Sequence, residues 1–362
     1  MNFVAVARRN AGLAREASRE QLQAIAHAVV GGQARLLAHR RLHGGHFNTS
    51  YLLQCTHEAP VVLRLAPEPE AGLWRDERDL LQRQCTVQPL FEAAGKAVPR
   101  MLHADFTRRL LPRDWAMFEW RPGRTWDSVA SSLDAAAARG LWREYGRIVR
   151  AVHGQRCPHF GSPDPGATAP SFGAWFARVV DDLAADLDEQ GIVVAGLARF
   201  RHSLRDARHR FDAIDVPRLV HGDLWTRNVL VDCGPQGWHI TALLDTERAF
   251  YGDPAAEWIF GFIDIPQAFW EGYGSSLDER GLDRNALWRR RVYQARGALS
   301  MMLEGARFGF DAGFAHRQFA RFCAAMESGT AVESRPTPEL GAVPGPRGDG
   351  RSWSATGSTD HA

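Results

Sequence analysis

The chain has 362 residues, of which 45% are apolar and 24% charged; this is ordinary for a globular protein and long enough for two lobes. Lys+Arg 44 against Asp+Glu 42 leaves a formal net charge of +2, which lacks the basic excess of a general nucleic-acid or membrane-surface binder. Lys96 is the only lysine, so almost any side-chain phosphate grip in this chain must be an arginine.

Ser18 and Gln21 form a capping-box pattern, and Leu22, Ile25, Ala26 and Val29 follow at helical spacing, which predicts a helix over 18–30. Three β-like runs come next, over 34–42, 49–55 and 61–65. They are joined by His43-Gly44-Gly45-His46-Phe47-Asn48 and by Thr56-His57-Glu58-Ala59-Pro60, and both joints read as hairpins. In the third run Val61, Leu63 and Leu65 share one face, and Val62 and Arg64 share the other. A helix over about 72–94 carries Glu77, Leu80 and Leu81; Pro99 opens another β segment, and 114–119 is a strand ended by Pro122-Gly123. Beyond it the pattern is helical over 137–153, 172–190, 196–211, 284–305 and 314–328, interrupted by short strands at 228–231 and 240–244. The expected class is α+β, with a small sheet and one inserted helix in 1–120 and a mostly helical portion in 121–328. Residues 329–362 are rich in Pro, Gly, Ser and Thr and read as a disordered tail, in which Arg347-Gly348-Asp349 is a chance tripeptide.

The five cysteines are widely spaced and form no CxxC pair, which suits free thiols in a reducing cytoplasm. Phe3 to Ala7 is shorter than the roughly 7–15 apolar residues of a signal peptide, and no run approaches the ~20 of a membrane span. A cytoplasmic protein with neither membrane nor nucleic-acid partners is expected. The arginines of 199–210 and Arg289–Arg291 read as solvated helix faces, and so does the acidic stretch 181–189. His43 and His46 have a ligand-like gap but no third ligand, and read as loop histidines.

The strongest chemical signal is Leu219-Val220-His221-Gly222-Asp223-Leu224-Trp225-Thr226-Arg227-Asn228-Val229-Leu230-Val231, a polar loop between apolar segments. Phosphoryl transfer needs a carboxylate for the attacking hydroxyl's proton and a neutral amide oxygen to help hold Mg²⁺. Asp223 and Asn228, five apart, are the required types. A second acid, Asp245, ends the apolar strand Ile240–Leu244, and a hairpin turning at Gly234-Pro235-Gln236-Gly237 returns it beside Asn228.

These two segments resemble those of the aminoglycoside phosphotransferase/choline kinase family, a branch of the protein-kinase-like fold. Its members share an HGD-x4-N loop and a strand ending in aspartate, often followed by Gly-Asp-Pro, here Gly252-Asp253-Pro254. The resemblance implies a two-lobed kinase-like fold, ATP and Mg²⁺ as cofactors, Asp223 as base, and Asn228 and Asp245 as metal ligands. Glu247 and Asp253 would support the loops. Val61-Val62-Leu63-Arg64 takes the place of the kinase V-A-I-K strand, so Val62 would roof the adenine and Arg64 would hold phosphates. Glu77 is the expected partner of Arg64, with Asp76 and Asp79 as competitors. Gly44-Gly45 would admit phosphate to backbone amides. Residues 116–123 resemble the hinge, with backbone near Glu119 and Trp120 at the adenine edge. Trp225 would line the acceptor pocket. The implied activity is phosphorylation of a small-molecule hydroxyl, in this family often that of an antibiotic, with resistance as the effect. The alternatives are a metabolic kinase of a sugar, amino alcohol or ketosamine, and a nucleotide-binding regulator.

Overall fold

The computed structural model describes residues 13–31, 35–42, 45, 47–56, 58–69, 71–95, 97–164, 168–262, 264–274 and 282–328. The expectations placed on His43, Gly44, His46, Lys96 and the 329–362 tail lie outside these residues.

Helix α1 (Arg19–Val30) begins at the capping box: Ser18 Oγ accepts from the Gln21 N–H at 3.2 Å, and Gln21 Oε1 accepts from the Ser18 N–H at 2.9 Å. Strands β1 (Leu36–Leu42), β2 (Thr49–Cys55) and β3 (Val61–Leu65) form an antiparallel meander. Helix α2 (Leu80–Ala94) separates them from β4 (Met101–Asp105) and β5 (Trp115–Glu119), and the sheet order is β1-β2-β3-β5-β4. The alternation read in β3 holds. Leu63 and Leu65 are fully buried with Leu53, Trp115 and Met117 against Leu22, Ile25 and Ala26 of α1. On the opposite face Val62 packs with Leu81, Ala116 and Phe118, and Arg64 stands opposite Ala116.

One boundary differs from expectation. Arg75–Glu77 is a separate 3₁₀ turn, Asp79 is left-handed at φ 55°, and α2 starts only at Leu80. Trp74 draws this segment away, because it is buried in the helical core among residues of later helices.

After β5 come β6 (Arg124–Thr125), α3 (Trp126–Val129) and α4 (Ala135–Gly154), then β7 (Phe160–Gly161), β8 (Thr168–Ala169), α5 (Phe172–Glu189) and α6 (Leu197–Asp206). Strand β9 (Arg218–Val220) leads into the polar loop, and β10 (Val229–Gly234) and β11 (Gly237–Leu243) leave it as the expected hairpin, with Gly234 paired to Gly237. Strand β12 (Phe250–Gly252) is followed by α7 (Ile259–Phe262), α8 (Gln267–Tyr273), α9 (Arg284–Phe308) and α10 (Gly313–Ser328). Two cores hold this portion. One joins α5, α6, α9 and α10; the other joins α4 and α8 to β9, β10 and β11.

The Arg289–Arg291 run is a correction. All three side chains are buried rather than solvated, and each has a partner: Arg289 on Asp253 (3.2 Å), Arg290 on the Phe260 carbonyl (3.3 Å) and Arg291 on Gln294 (2.8 Å). Among the described residues no helix is long and apolar enough to cross a membrane.

Candidate active site

The polar loop is held at both ends by short strands. Val220 and Leu219 of β9 pair with Phe250 and Tyr251 of β12. At the other end the Leu244 N–H donates to the Asn228 carbonyl at 2.8 Å, which sets Asp245 beside Asn228. The middle residue of His221-Gly222-Asp223 must be glycine. Gly222 has φ +80°, and a Cβ there would stand 2.3 Å from the Arg248 carbonyl oxygen.

His221 is fully buried and braces the loop. Its Nε2 lies 2.9 Å from the Leu244 carbonyl, and its Nδ1 lies 3.3 Å from the Asp223 N–H. Only the neutral tautomer protonated on Nε2 makes both bonds, and burial lowers the His221 pKa accordingly. Sequence reasoning missed the second brace, Glu257. This buried carboxylate accepts from the backbone N–H groups of His221 (2.9 Å), Gly222 (2.9 Å) and Trp258 (3.1 Å), and meets His153 Nε2 at 3.3 Å. Burial raises its pKa, but the hydrogen bond and charge of His153 and the His221 contacts outweigh burial and leave it below the ordinary value. A lone acid before the apolar run Trp258-Ile259-Phe260 was the available signal.

Asp223 is held by Asn228, whose Nδ2 donates to the Asp223 carbonyl (2.8 Å) and to its Oδ2 (3.0 Å). The Asn228 Nδ2 is thereby turned to Asp223, so its Oδ1 is the atom left for other work. Burial pushes the Asp223 pKa up to about 8; Arg248 and Asn228 pull the other way, while Asp245 and Glu304 add to the rise. Asp245, at φ 60°, has a side chain 39% exposed.

Arg64 reaches this cluster from β3. One guanidinium nitrogen lies 2.8 Å from Asp245 Oδ1 and the other 3.0 Å from Glu247 Oε2. Burial alone would lower its pKa, but the two carboxylates raise it, so it stays charged.

Glu77 is not the partner of Arg64, which corrects the expectation. Both Glu77 oxygens take Arg307 of α9, one of them at 2.6 Å; Oε2 also accepts the Trp74 N–H at 3.0 Å, and Arg248 stands 3.8 Å away. The competitor Asp76 meets Arg248 at 3.4 Å, and Asp79 is the left-handed residue just before α2. Burying Trp74 under the Arg307 guanidinium, 3.4 Å from the ring centre, fixes this arrangement.

Asp253 supports the fold. It caps Ala255 (2.9 Å) and takes Tyr293 (2.7 Å) and Arg289 (3.2 Å) of α9. Val62 is part of the apolar face described above. The Glu119 N–H is already bonded to the Arg100 carbonyl at 2.9 Å, while Trp120 is exposed. Gly45 sits with its Cβ direction 3.4 Å from the Asn48 carbonyl. Trp225 carries the Arg227 guanidinium 5.1 Å above its ring, and Arg227 is tied to Asp127 at 2.9 Å.

The donor set fits Mg²⁺. That ion takes hard oxygens from one or two protein carboxylates and completes its shell with phosphate and water. One amide oxygen and one partly exposed carboxylate meet this need, and among the described residues no cluster of three or more His, Cys, Asp or Glu forms a closed protein cage.

The family model of the phosphotransferase enzyme family (APH) matches residues 38–293. The chain belongs to this family. It is a phosphotransferase with the protein-kinase-like fold of its solved structural neighbours. A thermostable mutant of aminoglycoside phosphotransferase APH(4)-Ia, solved with AMP-PNP and hygromycin B, is 17% identical; the match covers 86% of this chain and 100% of that one, with a TM-score of 0.60. The streptomycin-ATP-APH(2")-IIa ternary complex is 13% identical, with 86% and 99% covered and a TM-score of 0.57. A putative aminoglycoside phosphotransferase from Ralstonia eutropha is 16% identical, with 86% and 97% covered and a TM-score of 0.55. Among curated proteins no relative matches the sequence.

Proposed function

We propose that the protein transfers the γ-phosphoryl group of ATP to a hydroxyl of a small molecule. The observation that carries this reading is the Asp223–Asn228 pair with Asp245 alongside, joined to the β3 arginine. Asp223 orients the acceptor hydroxyl and takes its proton. Asn228 Oδ1 and Asp245 hold Mg²⁺, which when bound neutralises charge on the phosphates. Arg64 grips phosphate oxygens, and Gly45, with Gly44, lets backbone amides approach them. Val62 covers the adenine, and backbone near Glu119 and Trp120 meets its edge; the Glu119 N–H is spent, so that contact falls to its carbonyl or to Trp120. Positioning and electrostatics carry most of the rate. Residues 1–120 act as the nucleotide lobe and 121–328 as the catalytic and acceptor lobe of a cytoplasmic enzyme that needs no nucleic acid or membrane.

For the acceptor we favour an antibiotic, aminoglycoside-like or other, with resistance as the outcome. The neighbours solved with hygromycin B and streptomycin support this. A metabolic kinase of a sugar, amino alcohol or ketosamine is the second reading; two arginines near the base speak for it, offset in part by Asp245 and Glu304. Asp223 senses Arg248, and Arg296 of α9 senses Asp223 and Asp76. Three of the five acids of α5 that a polycation would seek are engaged: Asp186 and Glu189 hold Arg75, and Asp181 holds Arg201. A regulator without phosphotransfer has no use for Asp223. Purified protein with ATP and Mg²⁺, assayed against a panel of antibiotics and hydroxyl metabolites, tests the reading. Phosphate on an antibiotic establishes the first acceptor class, and phosphate only on a metabolite establishes the second. Transfer to none of them, with ATP bound, supports the regulator.

A further inference from the structure

Arg64 lacks the helix carboxylate that a kinase-like β3 cation is expected to have. From Leu80 to Phe91, α2 carries no acid, and Glu92 near its end is bonded to Gln88 at 2.9 Å. Glu77 is committed to Arg307. The counter-ions of Arg64 come instead from the loop after β11, and the two differ in setting. Asp245 is 39% exposed, whereas the Glu247 side chain is 8% exposed. Glu247 Oε2 also accepts from Asn48 Nδ2 at 2.7 Å. Asn48 is buried, lies three residues beyond Gly45 and immediately precedes β2. One enclosed carboxylate oxygen therefore ties both the glycine turn and the phosphate-gripping strand to the segment that bears Asp245.

This arrangement creates a competition. A metal held by Asp245 draws on the same carboxylate charge that holds Arg64, so that bond to Arg64 is weakened when the metal binds. A guanidinium has two outer nitrogens, and only one of them has to let go. We infer that Glu247 is the positioning residue of Arg64: it retains one guanidinium nitrogen in the cleft while the other is exchanged between Asp245 and nucleotide phosphate. This rests on the nucleotide-site reading above. Without Glu247 the guanidinium has Asp245 as its sole carboxylate partner, so the metal and the nucleotide both bind less well.

The test is a double-mutant cycle between Arg64→Ala and Glu247→Gln, read by ADP binding without metal and by the Mg²⁺ concentration that half-saturates ATP binding. Glu247→Gln alone is expected to weaken metal-free ADP binding by about tenfold or more, as for loss of a charged hydrogen bond, and to raise the Mg²⁺ requirement. Glu247→Asp, which keeps the charge, is expected to recover part of both. In the Arg64→Ala background, Glu247→Gln is expected to change neither further, because it acts through the arginine. Additive effects, or no effect of Glu247→Gln when Arg64→Ala weakens binding, overturn the inference alone. Unchanged ADP binding in Arg64→Ala overturns the nucleotide-site reading and this inference with it. If Glu247→Gln fails to fold by thermal melting, the same cycle with Glu247→Asp decides, with the same non-additivity expected.

Discussion

The proposed base, Asp223, sits where desolvation disfavours its charge and so costs the loop stability, and Asp223→Asn measures by how much. The Asp223 pKa is raised by burial from 3.8 to about 8. Such a group contributes stability that is complete below the unfolded pKa and is lost as pH rises through the folded one. At pH 7 the penalty reaches about 4 kcal/mol as an upper bound, at about 1.4 kcal/mol per pKa unit. Asparagine keeps an acceptor oxygen for Asn228 but gives up the attraction to Arg248, so a net gain of about 1–3 kcal/mol is expected. In a protein of this size each kcal/mol moves Tm by roughly 1–2 °C. Thermal melts of wild type and variant without nucleotide, from about pH 5 to pH 9, make the comparison. The Tm advantage of the variant should widen as pH rises and level off above about 8, while phosphotransfer is lost. A variant less stable than wild type at every pH, or a gap independent of pH, refutes the assignment of a strained acid.

Three further outcomes are expected. Asn228→Ala and Asp245→Ala should lose Mg²⁺-dependent ATP binding in calorimetric titrations, with Asp245→Ala the worse, because a carboxylate brings charge and the amide only a dipole; unchanged metal dependence in both contradicts the ligand assignment. Arg64→Ala should raise the KM for ATP by roughly 10- to 150-fold, the equivalent of about 1.5–3 kcal/mol, and Arg64→Lys should restore part of it, since lysine keeps the charge but not the fork; steady-state kinetics over an ATP series decides. Gly222→Ala should lower both activity and Tm, at a cost of about 2 kcal/mol or more, because the new Cβ meets the Arg248 carbonyl oxygen at 2.3 Å; a fully active, equally stable variant refutes the close approach.

Features written locally were legible in the sequence. The capping box of α1, the two faces of β3 and the Gly234–Gly237 hairpin each follow from residues within a few positions of one another. So does the proximity of Asp223, Asn228 and Asp245, because hairpin geometry carries one acid back to the loop. What failed depended on distant partners. Glu77 looks helical because Leu80 and Leu81 continue its spacing, and nothing local says that Trp74 enters a core built by α5 and α9. Three consecutive arginines look solvated until Asp253, the Phe260 carbonyl and Gln294 are brought to them. Strands β9 and β12, of three residues each, were missed because they exist only by pairing with distant segments, β12 lying between β7 and β9 in one sheet. Glu257 became visible as a brace only when the loop it binds had folded over it.

The central claim is that Asp223 is the base of phosphoryl transfer from ATP. The most direct measurement is single-turnover transfer of the γ-phosphoryl group to an acceptor found in the panel, by wild type and Asp223→Ala, with ATP affinity measured on the same samples. The account predicts that the variant binds ATP nearly as wild type does and transfers about 10²–10⁴ times more slowly. Transfer by Asp223→Ala at close to the wild-type rate contradicts it.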